Sequence, residues 1–380
     1  MEWVRLPIRG WKALWGLKKS RELVSVLVVA VSIFMAMGPR KWNFGQSSGC
    51  NFPAVYNCGD SNSDTGGRYI DGQVIIDLIA QKLGLPYLSA YLDSIAANFQ
   101  HGANFATGGS TIQPVDSRIF EAGFSPISLD IQLMQFEQFK ERINELYKFS
   151  GKSSIKRGFP RLDCFSKALY ILDIGQNDLY AGFKYSTEMQ VLTSIPNITN
   201  LFALVVEKLY QHGARNFWVH NTGPIGCLPF SVINNPQNTE NADENGCVRS
   251  HNEVAKEFNR QLKETVSRLS AQLSDAVLIY VDIYSAKYTL ITEAKQHGFA
   301  NPIGYCCGHN GDYFMHCGMK GMVNGTEVYG ASCSDPSTYI SWDGMHYSHA
   351  ANQWIANHIM DGSFSDPPIP ITEACHKIVH

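Results

Sequence analysis

Residues 168–178 read ALYILDIGQND. The run Ala168–Ile174 is mostly apolar, lacks the alternation of a half-exposed strand, and stops at Gly175. A short run of this kind suits a strand covered on both faces, and such strands belong to parallel sheets flanked by helices. Gly175-Gln176-Asn177-Asp178 then stands at the carboxyl edge of the sheet, where open α/β sheets place their sites.

The same grammar repeats on either side. Ala54–Asn57 leads into a turn at Gly59, and Asn216–His220 (NFWVH) and Val277–Ile283 read as further strands. Gln73–Leu83, Leu129–Tyr147, Thr199–His212 and Ser348–Met360 read as helices, the first stopped by Gly84 and the third by Gly213. In His251–Leu273 the apolar residues Val254, Phe258, Leu262, Val266 and Leu269 recur at the helical period. Strands alternating with helices build βαβ units. The expectation is a three-layer α/β/α domain with a largely parallel sheet, with no Pro/Ser linker to divide it.

Composition narrows the function classes. The 380 residues are 44% hydrophobic and 17% charged, too apolar and too weakly charged for a disordered chain. Thirty-one basic against thirty-four acidic residues give a formal charge of −3, so no basic excess attracts a nucleic-acid backbone. No heptad or fixed-period repeat is present, which removes coiled coils and solenoids.

The N-terminus is set apart. Residues 23–38 (LVSVLVVAVSIFMAMG) follow Arg5, Arg9, Lys12, Lys18, Lys19 and Arg21, the charged-then-apolar layout of a secretory signal. A retained signal anchor is the rival, because Arg40 and Lys41 follow the run and a cut after Gly38 would leave Pro39 first. Membrane attachment is expected only if that segment is retained. Both readings divide the chain into a basic, signal-bearing and linker region at 1–49 and a domain at 50–380, and both put the domain in the secretory lumen. Asn197-Ile198-Thr199 and Asn324-Gly325-Thr326 are glycosylation acceptors. Cys227, Cys247, Cys306, Cys307, Cys317 and Cys333 lie in loop-like sequence and Cys375 near the end, which reads as disulfides in an oxidising compartment. His309 and His316 sit among them, but adjacent Cys306-Cys307 lacks the spacing of a zinc site, so no metal is expected. The pairing of the cysteines stays open.

Four segments carry chemistry. Gly59-Asp60-Ser61 follows the first strand, where a serine on a tight turn exposes its hydroxyl and its N–H to one pocket. Alone it is also what any turn or helix N-cap looks like. The glycine-rich loop His101–Ser110 offers bare N–H groups to an anion. Asn177 at the strand end can donate an amide to a developing oxyanion, or merely make an Asx turn. Ser341–Tyr347 (SWDGMHY) carries Asp343 and His346 three residues apart, so one turn can aim both and the carboxylate can orient the imidazole. Gly45-Gln46-Ser47-Ser48-Gly49 matches a Gly-x-Ser-x-Gly elbow, but no strand precedes it and it reads as a linker. Asp173 and Glu293 make no convincing glycosidase pair, since Asp173 lies inside a strand pattern.

With these blocks in this order, the chain resembles the plant GDSL esterase/lipase family of the SGNH hydrolase superfamily, close to its early-nodulin-like, latex-allergen and acetylesterase subgroup. The similarity runs from about Phe52 to about Lys377 and includes NTGPIGC at 221–227, VDIYSAKY at 281–288 and SWDGMHYS at 341–348. The resemblance implies a flavodoxin-like SGNH fold, with Ser61 as nucleophile, Asp343 and His346 completing the triad, and Gly108 and Asn177 in the oxyanion hole. It implies no cofactor. It also implies a secreted or cell-wall ester hydrolase acting on carboxylic esters, acetyl groups among them, carried by small molecules or glycans. An inactive glycosylated binding protein of the same fold, and an α-fucosidase-type glycosidase, are the alternatives, the latter because some relatives carry that label. Two departures stand out. Gly67 runs straight into Arg68 where relatives carry a Pro/Gly/aromatic-rich stretch, which predicts a more open nucleophile turn. Cys58 replaces an aromatic residue and reads as buried and inert.

Overall fold

The computed structural model describes residues 49–116, 124–149, 156–235, 239–310 and 314–375. The chain divides into Met1–Ser48 and Gly49–His380, and everything described belongs to the second unit. The expected signal segment lies outside the described residues, as does the 45–49 segment apart from Gly49.

Five strands form the parallel part of the sheet: β1 (Val55–Gly59), β2 (Gly102–Asn104), β3 (Leu169–Asp173), β4 (Asn216–His220) and β5 (Val277–Val281). Their order is 2-1-3-4-5, and Ser365–Asp366 adds a short antiparallel edge on β5. All residues of β1 to β4 are buried, as their unalternating sequences require of strands covered on both faces. The chain order reverses around β1, which neighbours both β2 and β3. Ligands bind at such a switch point, outside the carboxyl ends of the strands. Register puts Gly59 opposite Asp173, so the turns after β1 and β3 start side by side.

The main helices are α1 (Ile75–Lys82), α2 (Leu129–Phe149), α3 (Gln176–Tyr185), α4 (Glu188–Gln211), α5 (Arg249–Gln272), α6 (Ile283–Thr292) and α7 (His349–Met360). Helices α2, α4 and α5 pack into one set, and α1, α6 and α7 into another, giving the two outer layers. The apolar stripe of α5 is the buried one, with Phe258, Leu262 and Leu269 fully enclosed. Truncating such a phenylalanine to alanine costs about 3–5 kcal/mol in transfer and cavity terms.

Helix α4 starts eleven residues before the expected Thr199, at Glu188. Pro196 lies inside it, and an interior proline removes a hydrogen bond and costs about 3 kcal/mol. Burial of Val191, Ile195, Ile198 and Phe202 offsets that cost, and a capping box starts the helix: Gln190 N–H donates to Thr187 Oγ1 (3.3 Å) while Thr187 N–H donates to Gln190 Oε1 (2.9 Å). Four disulfides join Cys50–Cys375, Cys227–Cys247, Cys306–Cys333 and Cys307–Cys317. Cys50, not singled out in the sequence, thus ties the start of the domain to its end. With Cys306, Cys307 and Cys317 taken up, His316 lacks the thiolates a zinc site would use.

Candidate active site

The turn that carries Ser61 is held from several sides. Gly59 N–H donates to Gln132 Oε1 (2.9 Å) and Gln132 Nε2 donates back to the Gly59 carbonyl (2.8 Å). Asp60 N–H donates to the Asp173 carbonyl at 3.2 Å. A Cβ on Gly59 would lie 2.8 Å from that carbonyl oxygen and 2.5 Å from Ser63 Oγ, so the strand ends meet this closely only at a glycine. Asn57 Nδ2 donates to Ser63 Oγ (3.1 Å) and to Asn104 Oδ1 (2.7 Å), and Asn104 Nδ2 donates to the Ser63 carbonyl (2.7 Å). Ser61 is half-buried at the head of this turn. Its N–H has no partner among the described residues.

Asp343 and His346 sit in a tight turn ahead of α7. Trp342 N–H donates to the His346 carbonyl (2.8 Å), and Gly344 N–H donates to Ser341 Oγ (3.0 Å). The turn brings His346 Nδ1 to 2.6 Å from Asp343 Oδ2, while Asp343 Oδ1 accepts from Met345 N–H (3.0 Å) and His346 N–H (2.8 Å). Burial pushes the Asp343 carboxyl up, but the His346 charge and these hydrogen bonds outweigh it and hold it below the usual carboxylate range.

Asn177 lies in the first turn of α3 and gives one amide hydrogen to the Ser110 carbonyl (2.9 Å), which leaves the other. Next to it, buried Asp178 accepts from Ile112 N–H (2.8 Å) and Gln113 N–H (3.0 Å), which ties the glycine loop to α3. Burial pushes the Asp178 carboxyl up to about 6 against those bonds. Gly108 N–H donates to Asp64 Oδ2 at 2.8 Å. The N–H of adjoining Gly109 has no partner among the described residues.

Ser61, Gly108, Asn177 and His346 line one cavity of about 340 Å³. Phe124, Tyr180 and Phe230 build its aromatic wall, with ring centroids 6.1 Å and 5.7 Å apart. No carboxylate lines it among the described residues. A larger cleft of about 670 Å³ lies beside Phe52 and Pro53, ahead of β1 and away from these groups, so size alone would misplace the site. The segment after Gly67 is folded against the site: the Tyr69 ring also lines the cavity.

Beneath the turn lie buried Asp60, Asp173, His220 and Lys287. Burial, and then the neighbouring Asp173 charge, push the Asp60 carboxyl up. Burial also raises Asp173, but His220, with Nδ1 at 3.9 Å, and Lys287 outweigh it and leave the carboxyl low. Asp173 is therefore enclosed below the cavity, and Glu293 is engaged with His297 instead (3.3 Å). Burial pushes the Cys58 thiol up to about 12, which keeps it an unreactive thiol. Asn197 is exposed on α4, and Asn324 is exposed between the strands Lys320–Val323 and Thr326–Tyr329.

Sequence reading missed Gln132, Asp64, Asp178 and the aromatic wall. Gln132 alone carried a signal, as a polar residue on the apolar face of α2.

A family model for GDSL-like lipase/acylhydrolase matches residues 55–359. A GDSL esterase/lipase of Arabidopsis thaliana is 48% identical over 352 residues, covering 86% of this chain and 90% of the relative. One of Zea mays is 45% identical over 363 residues, covering 88% and 91%. Alpha-L-fucosidase 3 of Arabidopsis thaliana is 45% identical over 341 residues, covering 82% and 91%.

Proposed function

The chain belongs to the GDSL-like lipase/acylhydrolase family, and from that premise we propose that it is a secreted serine ester hydrolase working through Ser61, His346 and Asp343. One observation supports this most: His346, held by Asp343 at 2.6 Å, lines the same cavity as the half-buried Ser61. Asp343 takes one imidazole edge and leaves Nε2 for the hydroxyl. His346 Nε2 accepts the Ser61 proton as Oγ attacks the ester carbonyl carbon. The oxyanion is held by the free Ser61 N–H, the second amide hydrogen of Asn177 and the glycine loop. Within that loop the Gly108 N–H is held by Asp64, which fixes the segment and leaves the adjoining Gly109 N–H as its free donor. His346 then protonates the departing alcohol, and water, deprotonated by the same imidazole, releases the acyl group. Loss of one oxyanion donor typically costs about 10²–10³ in rate.

The aromatic wall suits a short acyl group such as acetyl on a small molecule or glycan. A glycosidase needs two carboxylates flanking the scissile bond, and the described cavity lining holds none. Four disulfides and two exposed acceptor asparagines favour a secretory compartment, extracellular or cell-wall.

Ser61→Ala tests the reading against an inactive binding protein. The parent should hydrolyse p-nitrophenyl acetate and react with a fluorophosphonate, and the variant should do neither while melting like the parent. Labelling that persists in the variant overturns the assignment.

A further inference from the structure

The segment after Gly67 does more than close a gap. Three anchors hold it. The Arg68 guanidinium pairs with the enclosed Asp77 carboxylate, His349 N–H donates to Asp71 Oδ1 (2.7 Å), and Gln73 N–H donates to His349 Nδ1 (3.2 Å). Arg68 itself has φ +40°, a conformation that L-residues with side chains rarely adopt. Two of the anchors are on His349, three residues after His346, so the strap is referenced to the turn that carries the imidazole.

The Tyr69 ring lands where this anchoring sends it. Its centroid is 5.1 Å from that of His346, with 20° between the planes. It also presses on the glycine loop: a Cβ on Gly108 would lie 2.5 Å from Tyr69 Cε2, so any larger residue at 108 would displace the ring. The imidazole is thus held on one edge by Asp343 and on one face by Tyr69, with Nε2 left over.

We infer that Tyr69 is a positioning residue for His346, its π-face supporting the cation that forms on the imidazole during ester hydrolysis. This rests on the reading of His346 as the base. During attack His346 gains the Ser61 proton, and during collapse it gives that proton to the leaving alcohol. A cation within about 6 Å of an aromatic centroid is attracted by the ring's quadrupole, and His346 meets that distance. The attraction is weak for neutral imidazole and strong for imidazolium, so it acts more on the transition state than on the ground state. The Tyr69 hydroxyl has no hydrogen-bond partner among the described residues and the residue is 47% exposed, so the ring and not the hydroxyl carries the effect.

The test is kcat and KM on p-nitrophenyl acetate for the full chain and its Tyr69→Phe, Tyr69→Leu and Tyr69→Ala variants, each checked by thermal melt. Tyr69→Phe should stay within about twofold of the parent, while Leu and Ala lower kcat about 3- to 30-fold and leave KM nearly unchanged. Leu keeps apolar bulk, so it covers the case in which Ala fails to fold. A loss confined to KM makes Tyr69 a cavity wall and overturns the inference. So does an equal loss in Phe, which would assign the hydroxyl, or an unchanged kcat in Leu. His346→Ala separates the premises: if it keeps the parental rate the triad reading fails, whereas an inert His346→Ala beside a fully active Tyr69→Leu sinks only the role of Tyr69.

Discussion

Asp64→Asn isolates the bond between the Ser61 turn and the glycine loop. Asp64 is 6% exposed and its carboxylate accepts three backbone donors: Gly66 N–H (2.7 Å) and Gly67 N–H (3.0 Å) on Oδ1, and Gly108 N–H (2.8 Å) on Oδ2. Asparagine keeps the first two through its carbonyl. Its amide nitrogen then faces the Gly108 N–H, donor against donor. A hydrogen bond to a charged group is worth about 1.5–3 kcal/mol net, and that is the expected loss of stability. For a folded unit of about 330 residues, an unfolding entropy of about 2.1 cal/mol/K per residue converts this to a fall of about 2–4 °C in Tm. Asp64→Ala should cost less than about 1 kcal/mol more, because Gly66 and Gly67 are exposed and their freed N–H groups return to water.

Activity should fall with it. Oxyanion donors work because they are already in place when charge develops, so a loosened Gly108–Gly109 segment should lower kcat by about tenfold. The measurements are a thermal melt and kcat on p-nitrophenyl acetate. A variant that melts within about 1 °C of the parent and keeps its kcat refutes the argument, since the bond would then be neither structural nor preorganising.

Cys50→Ser should destabilise the domain by about 2–5 kcal/mol, because Cys50–Cys375 closes a loop with a sequence separation of 325; an unchanged urea midpoint under non-reducing conditions would refute this. The pH dependence has a defined sign for Asp60. Its carboxyl is raised in the folded state, so the stability it contributes is present below the ordinary carboxylate range and is lost as pH rises through the raised value. Asp60→Asn should therefore flatten the fall in unfolding free energy between about pH 4 and pH 7, and parallel curves for parent and variant would show that Asp60 is not raised.

What could be read in the sequence was local. The strand Asn216–His220 has its expected bounds, and Arg249–Gln272 lies within two residues of the expected helix, because an unbroken apolar run and a clean helical period are sufficient signals. The start of α4 was missed: the Thr187–Gln190 capping box marks it, and Pro196 lies inside the helix. Asp343 and His346 were legible as a pair because three residues of one turn separate them. Gln132 and Asp64 were not, since their partners Gly59 and Gly108 lie 73 and 44 residues away.

The sheet order explains why local blocks suffice to suggest the chemistry and yet leave the site unbuilt. Sequence can put Ser61 after one strand and Asn177 after another, each at a carboxyl end. It does not say that those two strands are neighbours. That follows from β1 pairing with β3, with Gly59 opposite Asp173, and the pairing is decided by which apolar faces meet in the core. Had β1 paired with β4 instead, the same motifs would stand one strand spacing further apart, about 4.8 Å, beyond the reach of a shared oxyanion. The close contact at Gly59, where a Cβ would meet the Asp173 carbonyl oxygen at 2.8 Å, therefore serves the proposed site as much as the fold.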